Sequence, residues 1–141
     1  MTKWFQEDLR VQTAGREIRD ITPLIVELTD RSGIVTGLSN IFIAHTSASL
    51  MVTENADPAV HHDLERFMRR TAPDGDTLYT HTDEGPDDMS AHVRSVLTEP
   101  SLSVPVVKGR LALGTWQGVY LWEHRVHPHL RHIVVTIWGE Q

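Results

Sequence analysis

The chain has no cysteine among its 141 residues. Disulfides and thiolate metal sites are therefore excluded, and any metal would have to rest on histidine and carboxylate. Positive charge is also scarce: 13 lysines and arginines face 19 aspartates and glutamates, giving a formal net charge of -6 at pH 7. A field of that sign repels a phosphodiester backbone, so nucleic acid is not an expected partner. The densest cationic runs do not alter this, since Arg66, Arg69 and Arg70 close a helix and HRVHPHLRH is mostly imidazole. Long apolar runs are missing too. The N-terminal MTKWFQEDLRVQT alternates polar and apolar residues instead of forming a signal-peptide core, and no later run approaches membrane-spanning length. A cytoplasmic protein without membrane contact is expected. The phosphate-cradling patterns G-x-x-x-x-G-K-[ST] and G-x-G-x-x-G do not occur, which leaves ordinary nucleotide-loop chemistry without support.

What is present is a 40% hydrophobic content, enough for the core of a single domain spanning 1–141. Trp4 to Thr13 reads as a half-buried strand with Phe5, Leu9 and Val11 on one side. Thr22 before Pro23 suggests an N-cap, Ile21, Leu24, Ile25 and Leu28 an apolar helical stripe, and Gly33 its stop. GLSNIFIAH and SASLMVTE read as strands, with Ile41, Ile43 and His45 on one face. In NADPAVHHDLERFMRRTAP, Asp57 can cap a second helix whose stripe is Val60, Leu64 and Phe67. A third helix beginning near Asp88 would turn Met89, Val93, Val96 and Leu97 inward, with His92 at the edge. LSVPVV, RLALG, TWQGVYLWEHR and RHIVVTIW then follow as strands without helices between them. The order predicts an α+β fold, mostly an antiparallel sheet sandwich with about three helices, and disfavours a doubly wound sheet.

The chemistry is concentrated in histidine. There are nine, and His45, His81, His92 and His124 fall at element ends, where side chains from distant segments can converge. Three neutral imidazoles would leave a metal an open coordination position, although a lone histidine is more often a hydrogen-bonded structural residue. The run HTDEGPDDMSAHV adds Asp83, Glu84, Asp87 and Asp88. These offer hard oxygen ligands, and Asp87 or Asp88 could equally cap the third helix. Glu123 and His124 are adjacent, so in a regular strand they face opposite sides. HTSAS gathers hydroxyls able to hold phosphate oxygens. LGTWQGVYLWEH places glycines around Thr115, Trp116 and Gln117, where another group could approach the backbone. His127, His129 and His132 read as surface residues.

HTSASL, NADPAVHHDLE, HTDEGPDDMSAH and GRLALGTWQGVYLWEHR, in this order, resemble the motifs of the YjbQ family, also called UPF0047. The resemblance spans almost the whole chain. It implies an α+β sandwich, a homotrimer, a histidine-rich pocket near a subunit boundary, and a weak activity of thiamine phosphate synthase type. That reaction joins a pyrimidine methyl diphosphate to a thiazole phosphate and releases pyrophosphate. One departure is visible, since the family commonly has proline where this chain has Ser90.

The motifs lead to definite expectations. A divalent metal, zinc or magnesium, is expected on His81, His92 and His124. His45, Asp88 and Glu123 are expected to move protons or orient ligands. Thr46, Ser47 and Arg125, with Asn55, Asp57, Thr115, Trp116 and Gln117, are expected to bind a small phosphorylated molecule. Hydrolysis of a phosphoester or amide, and non-catalytic binding by a trimer, are the competing readings.

Overall fold

A computed structural model describes all residues from Met1 to Gln141. The elements run β1 (Thr2–Gln12), β2 (Glu17–Asp20), α1 (Thr22–Ser32), β3 (Thr36–Ile43), β4 (Ala48–Glu54), α2 (Pro58–Thr71), α3 (Asp88–Leu97), β5 (Ser101–Val107), β6 (Arg110–Leu111), β7 (Gln117–Glu123) and β8 (Leu130–Glu140). Five strands form one sheet in the order β1-β8-β3-β5-β6, and three form a second in the order β2-β7-β4. Every pairing is antiparallel. Strand alternation turns Ile41 and Ile43 of β3, Val104 and Val106 of β5, and Ile133, Val135 and Ile137 of β8 to one side. There they meet Leu50, Val119 and Leu121 of the smaller sheet and Ile25 and Leu28 of α1. One shared core between two sheets makes this the expected α+β sandwich.

Local chemistry explains most element ends. Gly33 closes α1 at φ 70°, a left-handed conformation that suits glycine. Asp57 caps α2 by accepting from the Ala59 amide at 2.9 Å, and Pro58 occupies the first turn. Four expectations need correction. Thr22 is not an N-cap: its hydroxyl bonds across to β7, accepting from the Val119 amide at 2.8 Å, and Ile21 takes the cap position without a side-chain bond. Residues 17–20 form an extra strand, held by pairing with β7 rather than by any pattern of their own. RLALG yields only the two-residue β6.

The fourth correction concerns the two later helices, which are rotated from the expected orientation. On α2, Phe67 is 58% exposed and Met68 is buried instead. On α3, the buried residues are Asp88, Ser90, Ala91 and Arg94, while Val96 and Leu97 are 84% and 57% exposed. Polar bonds outweigh the apolar stripe here. Arg94, fully buried, donates from Nη1 to Glu65 Oε2 of α2 at 2.9 Å, and the Trp122 indole donates to Glu65 Oε1 at 3.2 Å.

Candidate metal centre

Asp88 opens α3 and His92 follows four residues later, so both project from one side of the helix. His81 arrives from the segment joining α2 to α3. Its Nε2–H donates to Asp88 Oδ2 at 2.7 Å, and His92 directs Nε2 at the same oxygen from 3.1 Å. The candidate ligand atoms of all three residues lie within 4.8 Å of one another. His92 is oriented from behind, because its Nδ1–H donates to the Thr46 carbonyl at 2.9 Å. A carbonyl on Nδ1 is how proteins fix an imidazole that offers Nε2 to a metal.

The loop that carries His81 is bolted to its surroundings. Asp74 accepts both Arg16 Nη1 and Nη2 at 2.6 and 2.7 Å, and the Ser90 hydroxyl donates to the same carboxylate. The Gly75 amide donates to the Pro86 carbonyl at 2.9 Å, drawing the loop ends together. Arg16 also donates from Nε to the His124 carbonyl at 2.9 Å. Its neighbour Gly15 sits so close to the β7–β8 connection that an added Cβ would lie 2.3 Å from the Val126 carbonyl oxygen.

Asp88 is 7% exposed at its side chain. Burial alone would raise its pKa, but hydrogen bonding from His81 and the charges of His92 and Arg125 hold it below the ordinary aspartate value. Asp87 is held down likewise against burial, by hydrogen bonds from Arg125 and the Val126 amide. It is therefore no side-chain cap for α3: its Oδ2 accepts Arg125 Nε and the Val126 amide, each at 2.9 Å.

The remaining expected residues divide into two groups. His124 does not join His81 and His92. It is fully buried, with Nε2 2.8 Å from Ser49 Oγ and Nδ1 unpartnered. Burial, reinforced by the charges of Arg94, Arg16 and Arg131, lowers its pKa to about 3, so it is neutral. Asp88 takes its place in the trio. Glu123 is also sealed off, facing away from His124 into an ion pair with Arg131 (Nε to Oε1 2.8 Å), where it also accepts the Thr13 hydroxyl at 2.7 Å. Ser47 accepts Arg131 Nη2 at 3.0 Å. His45 lies just beyond β3, its Nε2 accepting the His132 amide at 2.8 Å and its Nδ1 3.3 Å from Arg131 Nη1. Burial, and then the Arg131 charge, lower its pKa. Neither ring nitrogen is free to take a proton from a ligand in this arrangement.

The second group lies elsewhere. Asn55 donates from Nδ2 to the Thr115 and Gln117 carbonyls at 3.1 and 3.3 Å, and Gln117 Oε1 accepts the Gly114 amide at 2.8 Å. Asp57 caps α2 beside them, and Trp116 projects outward at 65% exposure. This loop begins β7, whereas Arg125 follows its end, roughly 26 Å from Gln117 along the extended chain. In one chain it cannot reach the trio.

Two clefts flank the three convergent residues. One of about 470 Å³ on the His81 side is lined by Gly75, Asp76, Tyr79 and Thr82, and one of about 490 Å³ on the His92 side by His45, Thr46, Ser95 and Thr98. No lysine or arginine lines either. Two imidazoles and one carboxylate suit zinc or a similar transition metal better than magnesium, which prefers oxygen. Sequence reasoning missed Asp88 as the third member of the candidate metal set, although its i, i+4 spacing to His92 was there to be read.

Fold and site together define an antiparallel α+β sandwich that presents a two-histidine, one-carboxylate cluster at one end of its smaller sheet. The family described as UPF0047 protein YjbQ-like matches residues 7–140, and the chain belongs to that family. A UPF0047 protein of Synechocystis is 48% identical, covering 96% of this chain and 92% of its own. The UPF0047 protein YjbQ of Escherichia coli O157:H7 is 44% identical over 97% of this chain and 99% of its own. The crystal structure of a YbjQ-like protein of unknown function from Sulfolobus solfataricus P2 superposes with a TM-score of 0.90 at 29% identity, covering 99% of this chain and 100% of that one.

Proposed function

We propose that His81, Asp88 and His92 hold a divalent metal of the zinc class, and that the protein is an enzyme acting on a small molecule in the adjoining clefts. The observation that carries this is the meeting of two imidazoles on one oxygen of Asp88, with His92 fixed through Nδ1 by Thr46. A bound metal would supply Lewis acidity and an open position for a reacting group. The chain's own contribution is to set the ligands, offer the Thr46 hydroxyl beside His92, and shape the clefts.

Pyrophosphate-releasing transfer of the thiamine phosphate synthase type is proposed as a weak activity of this site. A diphosphate leaving group needs donors that neutralise its charge. Within one chain Arg125 and Ser47 are already engaged, and no cation lines the clefts. That observation favours hydrolysis as the second reading, of an amide more than of a phosphoester. The exposed stripe of α3 beside His92 supports a homotrimer, in which the Trp116 loop of a neighbouring copy could complete each site. No helix is long and apolar enough to cross a membrane.

Metal analysis of the purified protein tests the core of the proposal. About one zinc-class ion per chain is expected, falling at least tenfold in His92→Ala and in Asp88→Asn. Full metal content in either variant would refute the site. Steady-state assay with the two thiamine precursors should give turnover far below the usual ~1 to 10³ s⁻¹.

A further inference from the structure

We infer that Arg125 is the positioning residue of this centre, fixing which oxygen of Asp88 faces the two imidazoles. The inference rests on the metal reading above and goes beyond it. Arg125 follows the buried run that closes β7 and sends its guanidinium across to α3, where the side chain is 14% exposed. Its donors are spread over three acceptors: Nε to Asp87 Oδ2 at 2.9 Å, Nη1 to Asp88 Oδ1 at 2.8 Å, and Nη2 to the Glu84 carbonyl at 3.0 Å. Asp88 Oδ1 is thereby occupied, and Oδ2 alone is left for His81 and His92.

The same guanidinium joins the two segments that bring the ligands. Glu84 belongs to the loop that carries His81, while Asp87 and Asp88 begin the helix that carries His92. Asp87 secures the arrangement from the other side, because its Oδ2 also holds the Val126 amide at 2.9 Å and so anchors the fork to the β7–β8 connection. A planar, multiply donating guanidinium can hold this geometry. A lysine ammonium carries the charge but not the fork. With Oδ1 held, Asp88 would offer a metal one oxygen only. Without the fork the carboxylate can rotate and bind through both. Arg125 therefore serves the metal site rather than a phosphate.

Titration of the metal-free protein with Co²⁺, followed by its visible absorption, tests the role. Arg125→Lys should bind Co²⁺ about 10–100-fold more weakly than the unmodified chain, with a changed absorption spectrum that reports altered coordination. Asp87→Asn, which loosens the anchor while leaving Arg125 in place, should shift both readouts in the same direction and serves should Arg125→Lys fail to fold. A merely structural role would lower stability in urea and leave the Co²⁺ spectrum of the folded protein unchanged. Unchanged affinity and spectrum in the variants would overturn the positioning role while the metal site stands. An unmodified chain that takes up no Co²⁺ would overturn the metal reading and this role with it.

Discussion

Glu123 and Arg131 show what the interior asks of single residues. Their side chains are 0% and 3% exposed, and four donors meet the Glu123 carboxylate: Thr13 Oγ1, Arg131 Nε and Nη2, and the Arg125 amide. Taking one partner away strands a buried charge. Arg131→Met should therefore cost about 3–5 kcal/mol in urea denaturation, and a double replacement of Glu123 and Arg131 by apolar residues should recover much of it. His124 sets a second expectation. Its folded pKa of about 3 lies below the ordinary histidine value of 6.5, so between those limits the unfolded chain binds a proton that the native state refuses. Stability must then fall as pH drops from about 6.5 toward 3, by up to ~1.4 kcal/mol per pH unit from this group. His45 adds to the loss in the same direction. Asp74, Asp87 and Asp88, all lowered, keep their contribution to lower pH and lose it only below the ordinary aspartate range. Denaturation series at pH 7, 5 and 4 should show a flatter profile in His124→Asn. An unchanged slope would mean His124 is not the group responsible.

At the scale of elements, α3 decides the site. Its polar side is anchored by Arg94 to Glu65 and by the Ser90 hydroxyl to Asp74, so its apolar side faces out. Ser90→Ala removes a bond to a charged acceptor and should cost about 1.5 kcal/mol, the low end for such bonds, since Arg16 still pairs with Asp74. Faster amide exchange in the loop 75–86 that carries His81 would be the local signature. Exposed Val96 and Leu97 predict the opposite kind of effect. Val96→Glu should leave monomer stability within about 0.5 kcal/mol, as surface changes do, but shift the sedimenting mass from three times the 16.0 kDa of the chain toward one. A trimer that survives Val96→Glu would place the contact elsewhere.

For the molecule as a whole, the two sheets act as a frame with the candidate site and the Trp116 loop at opposite ends of β7. Arg125, Thr46, Asp88 and His92 gather at one end, and the loop of Asn55, Thr115, Trp116 and Gln117 is braced at the other. That separation is why a homotrimer would matter to the proposed function, since a neighbouring copy would have to bring the second loop to the first. On that reading, a variant that breaks the proposed trimer should reduce any precursor-coupling turnover more than it reduces metal content.

Much of this was legible along the chain. Period-two alternation in β1, β3, β5 and β8 and the Pro58 and Gly33 signals gave the sandwich and two helix limits, because these features act locally on the backbone. The chemistry of HTDEGPDDMSAH marked the site, and Asp88 with His92 already share a helix side by spacing alone. Three other matters were settled only by tertiary structure. The four-residue β2 exists because β7 offers it an edge. The inward side of α3 was chosen by Arg94 and Ser90 finding carboxylate acceptors on distant segments, against the hydrophobic pattern. His124 left the metal set because β7 carries it into the interior, where desolvation keeps the ring neutral and Ser49 takes its Nε2. Local order follows from neighbouring residues, whereas burial of a charge or an imidazole depends on partners that only the folded chain brings within reach.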